Sequence, residues 1–135
     1  PENLTGRGAY CLIEAEAERK VVLIATGSEV EVAVAVRAEL EAQGIGADVV
    51  SMPCWERFEA QDAQYKKDVL PAHALKVSIE AGATLGWERY TRDGLNFGVD
   101  VFGASGPYLR LYEHYGLTAG AIVPQILAKL NGEQA

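Results

Sequence analysis

Basic residues are in short supply in this sequence: 12 Lys and Arg stand against 19 Asp and Glu, for a net charge of −7. Lys66-Lys67 is the only basic doublet, and no stripe of positive charge follows any segment. Nucleic-acid binding draws most of its affinity from phosphate neutralisation, so this balance argues against nucleic acid as a partner. Long apolar runs are also missing. The longest, Val30 to Val36, is broken by Glu31, far short of the roughly 18 unbroken residues of a membrane span. The first seven residues lack the charged-then-apolar layout of a signal peptide. The two cysteines, Cys11 and Cys54, are too far apart for a metal or redox pair, which predicts free thiols and a cytoplasmic location. No Met opens the chain, so we expect a piece of a longer protein.

With 49% hydrophobic and 23% charged residues the composition is that of a folded globular domain, and 135 residues suit a single one, spanning 1–135. Strand-like and helix-like stretches alternate. Tyr10 to Glu14 reads as a short first strand. Only a polar turn at 17–20 separates it from Val21-Val22-Leu23-Ile24-Ala25-Thr26, which is too little for a crossover helix, so the two strands are expected to run antiparallel. The second strand is apolar on both faces, as a central strand covered by helices should be.

Gly27-Ser28 ends that strand, and a helix is expected from Glu29 to Gln43. Ser28 and Glu31 have capping-box spacing, Val32, Val36 and Leu40 form its stripe, and Gly44 closes it. Strands follow at 47–52, 75–80 and 97–102. Between the first two of these, Glu56 to Val69 is helix-compatible in two short pieces. A short helix is expected near Gly86 to Tyr90, another after Pro107, and a last one from Thr118 to Leu130 burying Ile122, Ile126 and Leu130. Strands joined by helical crossovers form parallel sheets with helices on both faces. The fold class is therefore α/β: a three-layer α/β/α domain with four parallel strands and an antiparallel first strand.

Ligands of open α/β sheets bind beyond the carboxyl ends of the strands. Thr26-Gly27-Ser28 and Gly103-Ala104-Ser105-Gly106 each place a hydroxyl at a helix start, where free N–H groups hold anions or the serine simply caps the helix. Neither meets G-x-G-x-x-G or a P-loop. Pro107 stands where a nucleophile elbow needs its final glycine. His73 and His114 are of the residue type that serves as acid or base near neutral pH, but their places in a loop and within a helix fit surface or boundary positions better. Glu80, at the end of a strand, is placed to bind a ligand, to sit across a subunit interface, or to accept hydrogen bonds from a neighbouring loop. Ser28, Glu80 and Ser105 are thus the candidate ligand residues. Trp55, Phe58, Trp87 and Tyr90 form one aromatic set, and Tyr108, Tyr112 and Tyr115 another. Such sets fit cores and subunit interfaces alike, and Tyr108 and Tyr112 are the candidate interface residues.

Ordered segments along the chain carry a resemblance. Ile24-Ala25-Thr26-Gly27-Ser28-Glu29-Val30, Val50-Ser51-Met52-Pro53-Cys54, Ser78-Ile79-Glu80-Ala81-Gly82 and Phe102-Gly103-Ala104-Ser105-Gly106-Pro107 with Tyr115-Gly116-Leu117-Thr118 together resemble the C-terminal domain of transketolases. The related domains of deoxyxylulose-phosphate synthase and of 2-oxoacid dehydrogenases, the pyruvate dehydrogenase type, share the fold but match these loops less well. The resemblance implies a five-stranded mixed sheet with its first strand antiparallel. It also implies a homodimeric parent enzyme of the pentose phosphate and Calvin pathways, which moves a two-carbon ketol unit from a ketose phosphate to an aldose phosphate. That enzyme uses thiamine diphosphate and a divalent cation, Mg or Ca. The G-D-G…N motif of thiamine enzymes is absent here, since Asp93-Gly94 lacks the preceding Gly. No catalytic, cofactor or metal residue carries over, and the isolated chain is expected to be inactive. The two readings left open are a support and dimerisation domain, bound to the rest of the transketolase chain and a second subunit, and a small-anion-binding regulatory module.

Overall fold

A computed structural model of the chain describes residues 4–27, 29–80, 87–98 and 118–132. Five strands form one sheet: β1 (Tyr10–Ile13), β2 (Arg19–Ala25), β3 (Gly46–Ser51), β4 (Leu75–Glu80) and β5 (Leu95–Gly98), in the order β1-β3-β2-β4-β5. The described helices are α1 (Glu29–Ala42), α2 (Trp55–Glu59), α3 (Ala63–Val69), α4 (Glu88–Thr91) and α5 (Ala119–Leu130). The predicted helix after Pro107 lies outside the described residues, as do positions 99–102 of the last predicted strand.

The antiparallel first strand is present, and its neighbour is β3 rather than β2. Tyr10 and Cys11 pair with Ser51 and Val50, Ile13 pairs with Val49, and the register slips at Leu12. The other neighbouring strands run parallel. β2 is buried without exposure from Val21 to Ala25, and its side chains alternate between two cores. Val21, Leu23 and Ala25 face α1 and α5, where Val36, Leu40, Ile122 and Ile126 pack. Val22 and Ile24 face the opposite side, where Met52, Phe58, Trp87 and Tyr90 pack. Each fully buried Leu or Ile of this strand contributes about 1.5–3 kcal/mol.

Helix α1 ends as its glycine predicts. Gly44 takes φ +80°, its N–H donates to the Glu41 carbonyl (2.9 Å), and Ile45 N–H donates to the Leu40 carbonyl (3.0 Å), the paired bonds of a Schellman close. The buried stripe is Glu29, Ala33, Val36 and Leu40. Val32, predicted inside, is only half-buried, because the sheet lies one position round the helix. Likewise Leu130, expected in the buried stripe of α5, is half-buried, and Val123 takes its share. The last described strand starts at Leu95, two residues before the predicted Phe97.

Candidate functional site

The chain leaves β2 through α1 on one face to reach β3, then crosses on the other face through α2 and α3 to reach β4. Connections from β2 and to β4 therefore diverge, and the switch point lies beyond the carboxyl ends of these two neighbours. Ala25 pairs with Ile79, which brings the next residue of each strand, Thr26 and Glu80, together. Thr26 Oγ1 donates to Glu80 Oε2 at 2.5 Å, within the short range of a charge-assisted bond. Sequence reasoning left Glu80 open between a ligand, a subunit interface and a neighbouring loop. The structure shows it accepting from the loop that opens α1.

That loop is tight. Gly27 adopts φ +54°, Glu29 N–H donates to the Thr26 carbonyl (3.1 Å) and Val30 N–H to the Gly27 carbonyl (3.2 Å). Glu29 is buried at the start of the helix. Two carboxylates, Glu80 and Glu29, therefore stand in or beside the described part of the crevice. Of the predicted ligand residues, Glu80 is placed here. Ser28 and Ser105 lie outside the described residues, as do Tyr108, Tyr112 and His114. His73 is exposed in the loop before β4, far along that strand from Glu80.

The aromatic set on the middle segments comes together. Trp55 meets Trp87 edge-on at 4.8 Å between ring centroids and Tyr90 at 5.5 Å, and Phe58 meets Tyr90 at 5.7 Å. Phe58, Trp87 and Tyr90 are buried, so this set is core. Among the described residues no three His, Cys, Asp or Glu side chains converge as a metal would require.

A polar cluster that sequence reasoning missed fastens the turn before β2. Glu41 on α1 accepts from the backbone N–H groups of Glu16, Ala17 and Ala47, each at 3.0 Å. Led by the Ala47 bond, these hold its carboxyl below the usual carboxylate range. One turn earlier, Arg37 donates to the carbonyls of Ala47 (3.0 Å) and Glu14 (2.8 Å). Nearby, the buried Asp48 carboxylate accepts from Ala15 N–H (2.8 Å) and lies 3.1 Å from the Arg19 Nε. Nothing local in the sequence signals these contacts, whose partners are up to 33 residues apart.

Comparison with known proteins decides the family. The model of the transketolase-like C-terminal domain matches residues 8–118. The chain belongs to the transketolase C-terminal domain family. It is similar to the transketolase of Rhodobacter capsulatus, with 45% identity over 136 residues covering 96% of this chain and 20% of that protein. Among solved structures it is similar to the transketolase of Leishmania mexicana, with a TM-score of 0.82 and 38% identity over 90% of this chain and 18% of that one. It is also similar to the Pichia stipitis transketolase solved in complex with sedoheptulose-7-phosphate, with a TM-score of 0.83 and 34% identity over 95% and 19% of the two chains. The chain thus spans about a fifth of the length of the curated relatives it matches. Its five-stranded mixed sheet, with β1 antiparallel and the rest parallel, is this family's fold. No described helix is long and apolar enough to cross a membrane.

Proposed function

We propose that residues 1–135 form one domain that supports and helps to dimerise a transketolase, and that catalysis belongs to other parts of that enzyme. The observation that carries this reading is the family match over residues 8–118, joined to a share of about a fifth of the relatives' length. The parent enzyme transfers a two-carbon ketol unit between sugar phosphates. The Pichia stipitis relative, solved with sedoheptulose-7-phosphate, supports that substrate class. Thiamine diphosphate and a divalent cation supply the carbanion chemistry there, and a second subunit completes a cytoplasmic homodimer.

Glu80 acts in this proposal as a clamp. Its bond to Thr26 joins the carboxyl ends of β2 and β4 and fixes where α1 begins. Tyr108 and Tyr112 are the proposed dimer-contact residues. In the complete enzyme, the double substitution Tyr108→Ala and Tyr112→Ala should raise the dimer dissociation constant at least about tenfold, the loss of roughly 1.4 kcal/mol. Unchanged dissociation would remove the interface role. Thiamine-dependent ketol transfer by the 135-residue chain alone would overturn the non-catalytic assignment.

A further inference from the structure

Basic side chains, scarce in the sequence, are gathered in one place. A cavity of about 610 Å³ opens between α2, α3, α4 and the amino-terminal end of β4, opposite the Thr26–Glu80 crevice along that strand. Among the described residues, Lys66, Lys67, Lys76, Arg89 and Arg92 line it together with one carboxylate, Glu59. A second cavity, of about 410 Å³, mixes the signs: Glu18 and Asp93 line it beside Arg19, Lys20 and Lys129.

Surface lysines and arginines are ordinarily just a solvated face, and three features set this cavity apart. Lys76 is only 7% exposed, and its ammonium makes one hydrogen bond, to the Ala74 carbonyl at 3.2 Å. An ammonium carries three donors, so two remain open in a site it shares with other cations. Burial, followed by the neighbouring Arg92 charge, pulls its pKa down, and Asp93 only partly offsets this. Tyr90 lines the same cavity and is 5% exposed, with a hydroxyl that has no hydrogen-bond partner. Burial, followed by the close approach of the Glu59 side chain, pushes that hydroxyl up to about 12, and Arg89 offsets part of this, although neither side chain makes a well-formed hydrogen bond to it. Arg92 holds φ +54°, an unfavourable conformation for a side chain of its size. Two of the other cations have partners: Lys66 lies 3.6 Å from Glu59, and Arg89 stands over the Trp55 and Tyr90 rings.

Open donors and a buried hydroxyl without a well-formed hydrogen bond each cost the empty fold stability, and one kind of occupant satisfies both. We propose that this cavity is a binding site for a small phosphorylated molecule. Its phosphate oxygens accept from Lys76, Arg92 and Tyr90, and its apolar body rests on Phe58, Leu70 and Pro71. Phosphate supplies the several acceptor oxygens that such donors need, and the volume suits a small organic ligand.

The test is isothermal titration of the 135-residue chain with inorganic pyrophosphate and with a nucleoside diphosphate, alongside Lys76→Met, Arg92→Gly and Tyr90→Phe. Saturable binding of either compound is expected, weakening as salt is raised and falling about tenfold in each variant. The same variants should melt at or above the temperature of the parent, because each removes an unsatisfied or strained group. Binding of neither compound up to about 10 mM, an affinity too weak for a built site, would overturn the proposal. So would binding that all three variants leave unchanged.

Discussion

Cys11 shows how far one group can be moved by its surroundings. It is half-buried on β1, its Sγ donates to the Ile13 carbonyl at 3.5 Å, and carboxylates lie on two sides. Burial first, then Asp48 and Glu14, push the thiol from 9.0 up to about 11. Thiolate is the species that alkylates, so at pH 9 roughly a hundredth of Cys11 is reactive where about half of an ordinary thiol would be. In a Cys54→Ser chain, iodoacetamide labelling should be slow at pH 9 and still rising above pH 10, whereas the urea-unfolded chain labels readily at pH 9. Equal rates for folded and unfolded protein at pH 9 would show that the thiol is not held in this environment.

Glu41 belongs to the scale of elements, since its carboxylate joins α1 to the turn before β2 and to the start of β3. Its folded pKa lies below its ordinary 4.5. The stabilisation is therefore fully present above pH 4.5 and is lost as pH falls through the depressed folded value. Glu41→Gln should cost about 1–3 kcal/mol at pH 7. The gap from the parent should narrow below pH 4.5, read as melting temperature across pH 3 to 7. A gap that stays constant with pH would show that charge has no part in the clamp.

The same helix marks what the sequence discloses and what it withholds. Gly44 announces itself through a local rule, whereas Asp62, which caps α3 by accepting from Tyr65 N–H at 2.7 Å, was not singled out in the sequence. The strands of the sheet stood out by their apolar runs, and the antiparallel first strand followed from a turn too short for a crossover. Glu41 gave no such signal, because its acceptor role depends on where residues 16, 17 and 47 arrive in space. Glu80 was visible as the end of a strand, but its partner Thr26 is 54 positions away and meets it only through strand register. The basic cavity was hidden for a similar reason: Lys66, Lys76 and Arg92 come from three different parts of the chain. A close backbone approach can be fixed this way too. Gly8, at φ +87°, lies so close to the Cys54 carbonyl and the Phe58 N–H that any Cβ there would collide with the backbone of α2, and only the assembled fold reveals it.

Taken whole, the molecule has two apolar cores with a common wall. Val21, Leu23 and Ala25 serve one, and Val22 and Ile24 serve the other, so neither core can open without disturbing β2. Trp55 and Trp87 report only on the core beneath α2 and α4, while α1 and α5, the longest described helices, report on the opposite one. Urea unfolding followed by tryptophan fluorescence and by far-ultraviolet circular dichroism should give a single coincident midpoint. Separated midpoints would mean that the layers come apart independently.

The slip at Leu12 bears on how such molecules behave in a crowd. β1 forms an outer border of the sheet, and a border of unpaired amides invites the strand of another chain to zip on. Here the border strand is four residues long. In its middle Leu12 drops out of the ladder and turns its side chain outward, 45% exposed. A bulge breaks the even spacing that a foreign strand would have to match. One misaligned residue thus makes this border of the sheet a poorer template for the strand of a second chain.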